Sequence, residues 1–372
     1  SNHPHAPWIG SIIERLRDKA LLREHAFDGH RRFTLYRSIE EVAHRKLEEL
    51  GERPELESRH AAYFLWVCHD WAEAVRLRDD PLYHRSLELE VENILAVRRR
   101  AIAEKPLSAR SLEIAIRALL IVESVLSNRG LVGAYYELVE QALQLTATIE
   151  VAPELLAALS HTRAKMTSQY GQFGYAVGYL EGARDLARNV GDRWLDANCS
   201  LMLGISYAAR HDAERAMECL RDAWDPAHET DSPILLCRLE KIMGLVFGML
   251  GAHDQALESN TAAVEIARRE KYSRELSVTL HNRGDTLLKL GRYEEAIESF
   301  RESYDIAEAD NIEGMCDLNE ALILCAEALQ TGNPEKLERV EEYRRENVER
   351  ENSWIVAQAS YFLGLAYEKG SQ

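Results

Sequence analysis

The side chains with the widest chemical range are scattered along this sequence. Thirteen histidines and six cysteines are present. Cys68, Cys199, Cys219, Cys237, Cys316 and Cys325 form no Cys-x-x-Cys pair, and no close Cys/His set has zinc-ligand spacing. His60 and His69 are nine residues apart and do not share a helix face. No H-E-x-x-H, G-x-S-x-G or G-x-G-x-x-G run occurs, and no G-x-x-x-x-G-K-S/T loop is there to cradle a phosphate. A reaction needs groups that converge, and none can be nominated. The sequence therefore reads as a non-enzyme, with no catalytic residue, metal ligand or cofactor site. The cysteines lie in apolar helical stretches, where a free thiol acts as a small hydrophobe, and this usage fits a reducing cytoplasm.

Net charge is −17 and the pI is about 5.3. A broad grip on a phosphate backbone needs a basic face, so direct nucleic-acid binding by this chain is not expected. The one compact basic run, Arg98-Arg99-Arg100, reads as a solvated helix end. The apolar fraction of 46% allows a large core. No apolar run is long enough to span a membrane. The opening "SNHPHAP" lacks a methionine, and the chain reads as a fragment of a longer protein.

What positions side chains here is a repeat. Ala176, Ala216, Ala256 and Ala296 are spaced 40 residues apart, as are Ala187, Ala227, Ala267 and Ala307. Gly171, His211, Gly251 and Gly291 form a third column at that period, and Ala164, Gly204, Gly244 and Gly284 a fourth. Repetition at this length means stacked supersecondary units. In "LHNRGDTLLKLGRYEEAIESF" (residues 280–300) a helix ends near Leu290, Gly291 turns, and Tyr293 starts a second helix. Gly284 and Ala296 are small because two helices of a hairpin approach closely there.

This pattern resembles the tetratricopeptide repeat. The residues that carry it are Leu203, Gly204, Tyr207, Ala216 and Leu220, then Gly244, Phe247, Gly251 and Ala256, and finally Leu363, Gly364 and Tyr367. The period is six residues longer than the family's usual 34. The copy turning at Gly332 is degenerate, with Leu337 and Glu341 in place of the expected Ala and aromatic. The resemblance implies an all-α, right-handed superhelix of antiparallel hairpins with a concave groove lined by the first helix of each pair. It places His161, Lys165 and Ser168 in that groove, then Leu201, Ile205 and Ala208. Lys241, Leu245 and Gly248 follow, then His281, Asp285 and Leu288, then Tyr361, Leu365 and Glu368. Asn282 stands where the family often offers an asparagine to a peptide backbone. The implied partner is a protein or peptide, polar at its ends and apolar in the middle. The alternative is that these side chains are ordinary inter-repeat packing.

Residues 8–51 depart from the period. Trp8 to Leu22 reads as a helix, and "LLREHAFDGHRRFTLY" as a β-hairpin turning at Asp28-Gly29. Ser38 is expected to cap the next helix with Glu41 completing a capping box, and Gly51 to close it. Helix, hairpin, helix is the layout of the end of a winged helix. "RRFTLYRSIEEVAHRKLEELGE", "RHAAYFLWVCHDWA" and "LELEVENILAVRRRAIA" resemble, in order, segments of bacterial STAND-type signalling ATPases, many of them transcriptional regulators. That resemblance implies a winged-helix remnant (8–51), a helical linker region (52–110) and a repeat array (111–372), without the ATPase module. Tyr63, Phe64, Trp66 and Trp71 read as a core joining head and array, or as a docking face for the absent ATPase. "EKLERVEEYRRENVERE" reads as a solvated helix. The function implied is a sensing module binding a partner or inducer. A passive scaffold and a peptide-pheromone receptor-like module are the alternatives.

Overall fold

The computed structural model describes residues 9–27, 30–128, 132–312, 314–349, 360, 361, 363 and 364. The chain divides after Phe64 into two compact units. In the first, α1 (Ile9–Asp18) precedes a hairpin of β1 (Leu22–Phe27) and β2 (His30–Leu35), followed by α2 (Arg37–Glu49) and the start of α3 (Arg53–Arg78). The strands pair antiparallel, with Leu22 opposite Leu35 and Glu24 opposite Phe33. The Asp28-Gly29 turn, like Trp8, lies outside the described residues. α1 ends at Asp18, earlier than its apolar pattern implies, because Ala20 turns the chain at a φ of 53°.

Two local expectations meet different outcomes at α2. Gly51 closes it with a φ of 69°, its N–H bonding the Glu48 carbonyl and the Glu52 N–H reaching Leu47. Ser38 does not cap it. The helix starts earlier, with Tyr36 in the cap position and no side-chain cap bond, so Ser38 lies inside the first turn. Among the described residues of this first unit none is buried, although Ile9, Val42 and Leu50 are large and apolar. Tyr63 and, just past the boundary, Trp66 are 57% and 69% exposed, so neither belongs to a core.

The second unit holds the rest of α3, then helices in antiparallel succession. These are α4 (Pro81–Ala103), α5 (Ala109–Asn128), α6 (Val132–Thr146), α7 (Pro153–Gln169) and α8 (Phe173–Val190). Next come α9 (Arg193–Ala209), α10 (Ala213–His228), α11 (Pro233–Met249) and α12 (His253–Glu270). The last are α13 (Ser273–Lys289), α14 (Tyr293–Ala309), α15 (Met315–Thr331) and α16 (Pro334–Glu349). From α4 onward each helix packs on the next. From α5 to α15 the odd-numbered helices also touch one another across repeats, α5 with α7 through to α13 with α15. In a curved stack the layer whose members meet across repeats is the inner one, so the odd helices line the concave side of a tetratricopeptide-like superhelix.

The repeat columns have direct structural meaning. Gly171, His211, Gly251 and Gly291 all turn left-handed, at φ of 71°, 60°, 75° and 77°. At each, the following N–H reaches back to the helix, Gln172 to Thr167, Asp212 to Tyr207, Ala252 to Phe247 and Arg292 to Leu287. His211 is the one member with a Cβ to strain that geometry. In the glycine column a large side chain of the second helix fills the notch. A Cβ on Gly204 would meet Leu220 at 2.7 Å, one on Gly284 would meet Phe300 at 2.6 Å, and one on Gly244 would meet Asn260. Ala176, Ala216, Ala256 and Ala296 are all wholly buried.

Arg98 departs from its sequence reading. It is buried, with one guanidinium nitrogen 3.2 Å from Gln141 Oε1, while Arg99 remains exposed. No described helix is long and apolar enough to cross a membrane.

Three substitutions test this packing. Gly284→Ala should lower stability by about 1–3 kcal/mol through overpacking against Phe300. Gly248→Ala, one turn beyond Gly244 with nothing within 4 Å of its added Cβ, should be neutral or stabilising. Urea denaturation of both variants checks the contrast. His211→Gly should stabilise by about 1 kcal/mol by relieving the left-handed turn, read as a rise in thermal midpoint.

Candidate functional site

Helices α7, α9, α11 and α13 bring the nominated residues from His161 to Leu288 onto one layer, but most are held by a neighbour. The position three before the small residue is His161, Leu201, Lys241 and His281 in successive repeats, and all but Lys241 are buried. The position one after it is Lys165, Ile205, Leu245 and Asp285, which are half-buried except for exposed Leu245.

The same polar device appears twice between inner helices. On α5 the Glu123 carboxylate accepts from two α7 donors three residues apart, Thr162 Oγ1 at 3.0 Å and Lys165 Nζ at 2.9 Å. On α13 the Glu275 carboxylate accepts from two α11 donors three residues apart, Arg238 Nε at 3.1 Å and Lys241 Nζ at 2.5 Å. Burial pushes each carboxyl up. The cations and their hydrogen bonds outweigh it and hold Glu123 and Glu275 below the usual carboxylate range. Three-residue spacing puts both donors on one face of the donor helix, so one carboxylate ties two repeats together.

His161 lies beside the first of these devices. Only 5% exposed, it meets the Trp194 ring edge-on at a centroid distance of 6.2 Å, and its Nε2 has no hydrogen-bond partner among the described residues. Burial drives its pKa down to about 4, against the pull of Glu123 and Asp192 and with the push of Lys165 and Arg76. His281 is equally buried, with Nδ1 2.8 Å from Asn319 Oδ1 on α15, and its pKa is also lowered by burial. Ser168 donates to the Ala164 carbonyl within its own helix. Asp285 Oδ2 accepts from Lys289 at 2.7 Å.

Three nominated residues remain accessible. Leu245 is 49% exposed and Tyr361 52% exposed. The Asn282 side-chain amide makes no hydrogen bond among the described residues. Leu365 and Glu368 lie outside the described residues. Sequence reasoning missed Met249, one turn beyond Leu245 on the same face of α11 and 40% exposed. The signal was available, because residues four apart on a helix share a face.

It also missed what the end of α3 does within the second unit. The Arg76 guanidinium sits 4.3 Å over the Trp194 ring. Ser232 Oγ donates to the Leu77 carbonyl at 3.0 Å, and Arg78 meets Asp231 at 3.3 Å. Asp79, at a φ of 52°, lies 3.9 Å from Arg238. The end of α3 is thus fastened at the starts of α9 and α11. No repeat period announces contacts between residues some 155 apart in sequence.

Residues 236–309 match the family model for the tetratricopeptide repeat. No curated protein sequence matches the chain. Among solved structures, the chain resembles a Signal Transduction ATPase with Numerous Domains (STAND) protein with a tetratricopeptide repeat sensor from Pyrococcus horikoshii, with a TM-score of 0.57 and 14% identity. That likeness covers 99% of this chain but 56% of the other, so the chain spans about half its length. A Rap protein complexed with Competence and Sporulation Factor is similar at a TM-score of 0.56 and 14% identity, over 85% of this chain and 93% of that one. NprR in complex with its cognate peptide NprX is similar at 0.53 and 16%, over 81% and 82%. At these identities the likeness is one of fold.

His161 has a consequence for acid stability. Its pKa is about 4 when folded, against 6.5 for an ordinary histidine. Above 6.5 both states are neutral at this residue and it contributes nothing to pH dependence. As the pH falls from 6.5 toward 4 the unfolded chain takes up a proton that the folded chain refuses, so stability drops, by at most about 3 kcal/mol. His161→Leu, which copies Leu201 of the next repeat, should lose this part of the acid sensitivity. Thermal midpoints of the two proteins at pH 7 and pH 4.5 check it, the variant showing the smaller fall.

Proposed function

We propose that the chain is a protein- or peptide-binding sensing module of a STAND-type signalling or transcriptional regulator, acting in the cytoplasm without catalysis. The observation that carries the binding part is the contrast along the inner face. Lys165, Lys241 and His281 are bonded across repeats and Ser168 and Asp285 within their own helices, while Leu245 and Met249 stand exposed side by side. Large apolar side chains left open on a concave layer whose polar residues are mostly committed are what a peptide's apolar residue would cover. Leu245, Asn282 and Tyr361 are the contact residues of this reading. His161, Lys165, Ser168, Lys241, His281 and Asp285 shape the wall behind them.

The STAND part rests on the ordered head segments. The winged-helix reading gains support from the head's lack of any buried described residue, since a helix–hairpin–helix piece without a core is what the end of a larger domain looks like. In such a regulator the nucleotide switch and the DNA-binding output belong to other modules. The ligand favours one conformation of the array, and the head hands that preference on.

Selection of a displayed random nine-residue peptide library on the immobilised full chain tests the binding face. Leu245→Ala and Asn282→Ala should each weaken the selected peptides roughly tenfold. Tyr175→Ala, on exposed outer helix α8, should leave them unchanged. Indifference to both inner substitutions would remove the concave-face reading and favour the passive scaffold. Isothermal titration with ATP should show no binding.

A further inference from the structure

Resting on the concave-face reading, the ion pairs of α11 name the chemistry of the ligand and a device that answers to it. Arg238 and Leu245 are seven residues apart on α11 and share its inner face, about 10 Å apart along the axis. Lys241, between them, is committed to Glu275 in a largely buried pair. Arg238 is different. It gives Nε to Glu275 and turns an NH2 outward, where the carboxylate of Asp79 stands at 3.9 Å, both side chains nearly half exposed. That distance is long for a charge-assisted hydrogen bond, and an exposed pair of this kind contributes little.

Asp79 comes from the left-handed turn that ends α3, and it is one of four contacts fastening that end to the array. Its carboxylate occupies the place beside Arg238 that a ligand carboxylate would take. We propose that the groove recognises an acidic peptide, whose carboxylate takes Arg238 from Asp79 while a large apolar side chain covers Leu245 and Met249, and that this exchange loosens the end of α3.

The geometry sets a spacing. An extended peptide advances roughly 3.3 Å per residue, so the acidic and apolar residues stand about three positions apart. The exchange favours the ligand because its carboxylate can engage Arg238 at hydrogen-bond distance. The Arg238–Glu275 bond is retained, so the inner helices stay tied to one another while α3 is released. Ligand charge is thereby converted into freedom of the helix that leads back to the head.

The same displayed nine-residue library tests this on the full-length chain. Wild type should enrich sequences with Asp or Glu about three residues from a large apolar residue. Arg238→Gln should lose the acidic preference and keep the apolar one. Asp79→Asn, which leaves the Arg238–Glu275 bond in place, should bind a selected acidic peptide about two- to fivefold more tightly. Hydrogen–deuterium exchange supplies the readout that bulk electrostatics would not move. In wild type the selected peptide should speed exchange in residues 70–80, and Asp79→Asn should speed it without peptide. Enrichment that depends on Leu245 but shows no acidic preference overturns this proposal and leaves the concave face standing. So does an acidic preference with no change of exchange at residues 70–80 in either arm. Absence of enrichment in all variants overturns both.

Discussion

One steric constraint underlies the array, the notch where a side chain of the second helix enters a small residue of the first, a glycine in three successive repeats. Leu220 over Gly204 and Phe300 over Gly284 set how closely the two helices of a hairpin approach. Close hairpins, closed by left-handed turns at Gly171, His211, Gly251 and Gly291, bring the odd helices into contact across repeats. That contact creates the inner layer on which the candidate residues from His161 to Leu288 sit. The third repeat runs the same design with Asn260 in the notch. Its amide reaches Thr286 at 3.1 Å, while among the described residues its buried Oδ1 has no partner. A polar substitution in a packing column is accommodated when one of its two ends finds a bond.

The inner layer is then divided by electrostatics. Glu123 and Glu275 each draw two donors from the neighbouring inner helix, and burial lowers the pKa values of His161 and His281 on the same layer. These groups hold repeats in register. They are expensive to disturb, because removing one partner leaves a buried charge behind. On α11 and α13 Leu245, Met249 and the Asn282 amide remain open among the described residues, with Arg238, 42% exposed, at the edge. The same layer therefore serves as scaffold and as recognition face, with different residues doing each.

Features fixed by period or by local turn chemistry were legible in the sequence. The columns at 176, 171 and 164 became the buried alanines, the left-handed turns and the small inner residues, and the helix boundary at Leu290–Tyr293 was placed correctly. Gly51 closed α2 for the same local reason. Features that depend on a partner far away in sequence were not legible. Arg98 looked like part of a solvated basic run, but Gln141 on α6 gives it a place in the interior. Ser38 had the spacing of a cap, yet α2 began ahead of it. Tyr63 and Trp66 had the composition of a core but lie where the described chain has none to offer. The pairing of Lys241 and Lys165 to carboxylates 34 and 42 residues away, on neighbouring inner helices, follows from side-chain reach across a stack.

The central claim is that binding takes place on the odd-helix layer. Hydrogen–deuterium exchange on the full chain, with and without a saturating selected peptide, addresses it directly. Protection is expected at the second halves of α9, α11 and α13, around Ile205, Leu245 and Asn282, with α10, α12 and α14 unchanged. Protection confined to those outer helices, with the inner layer unaltered, would contradict it.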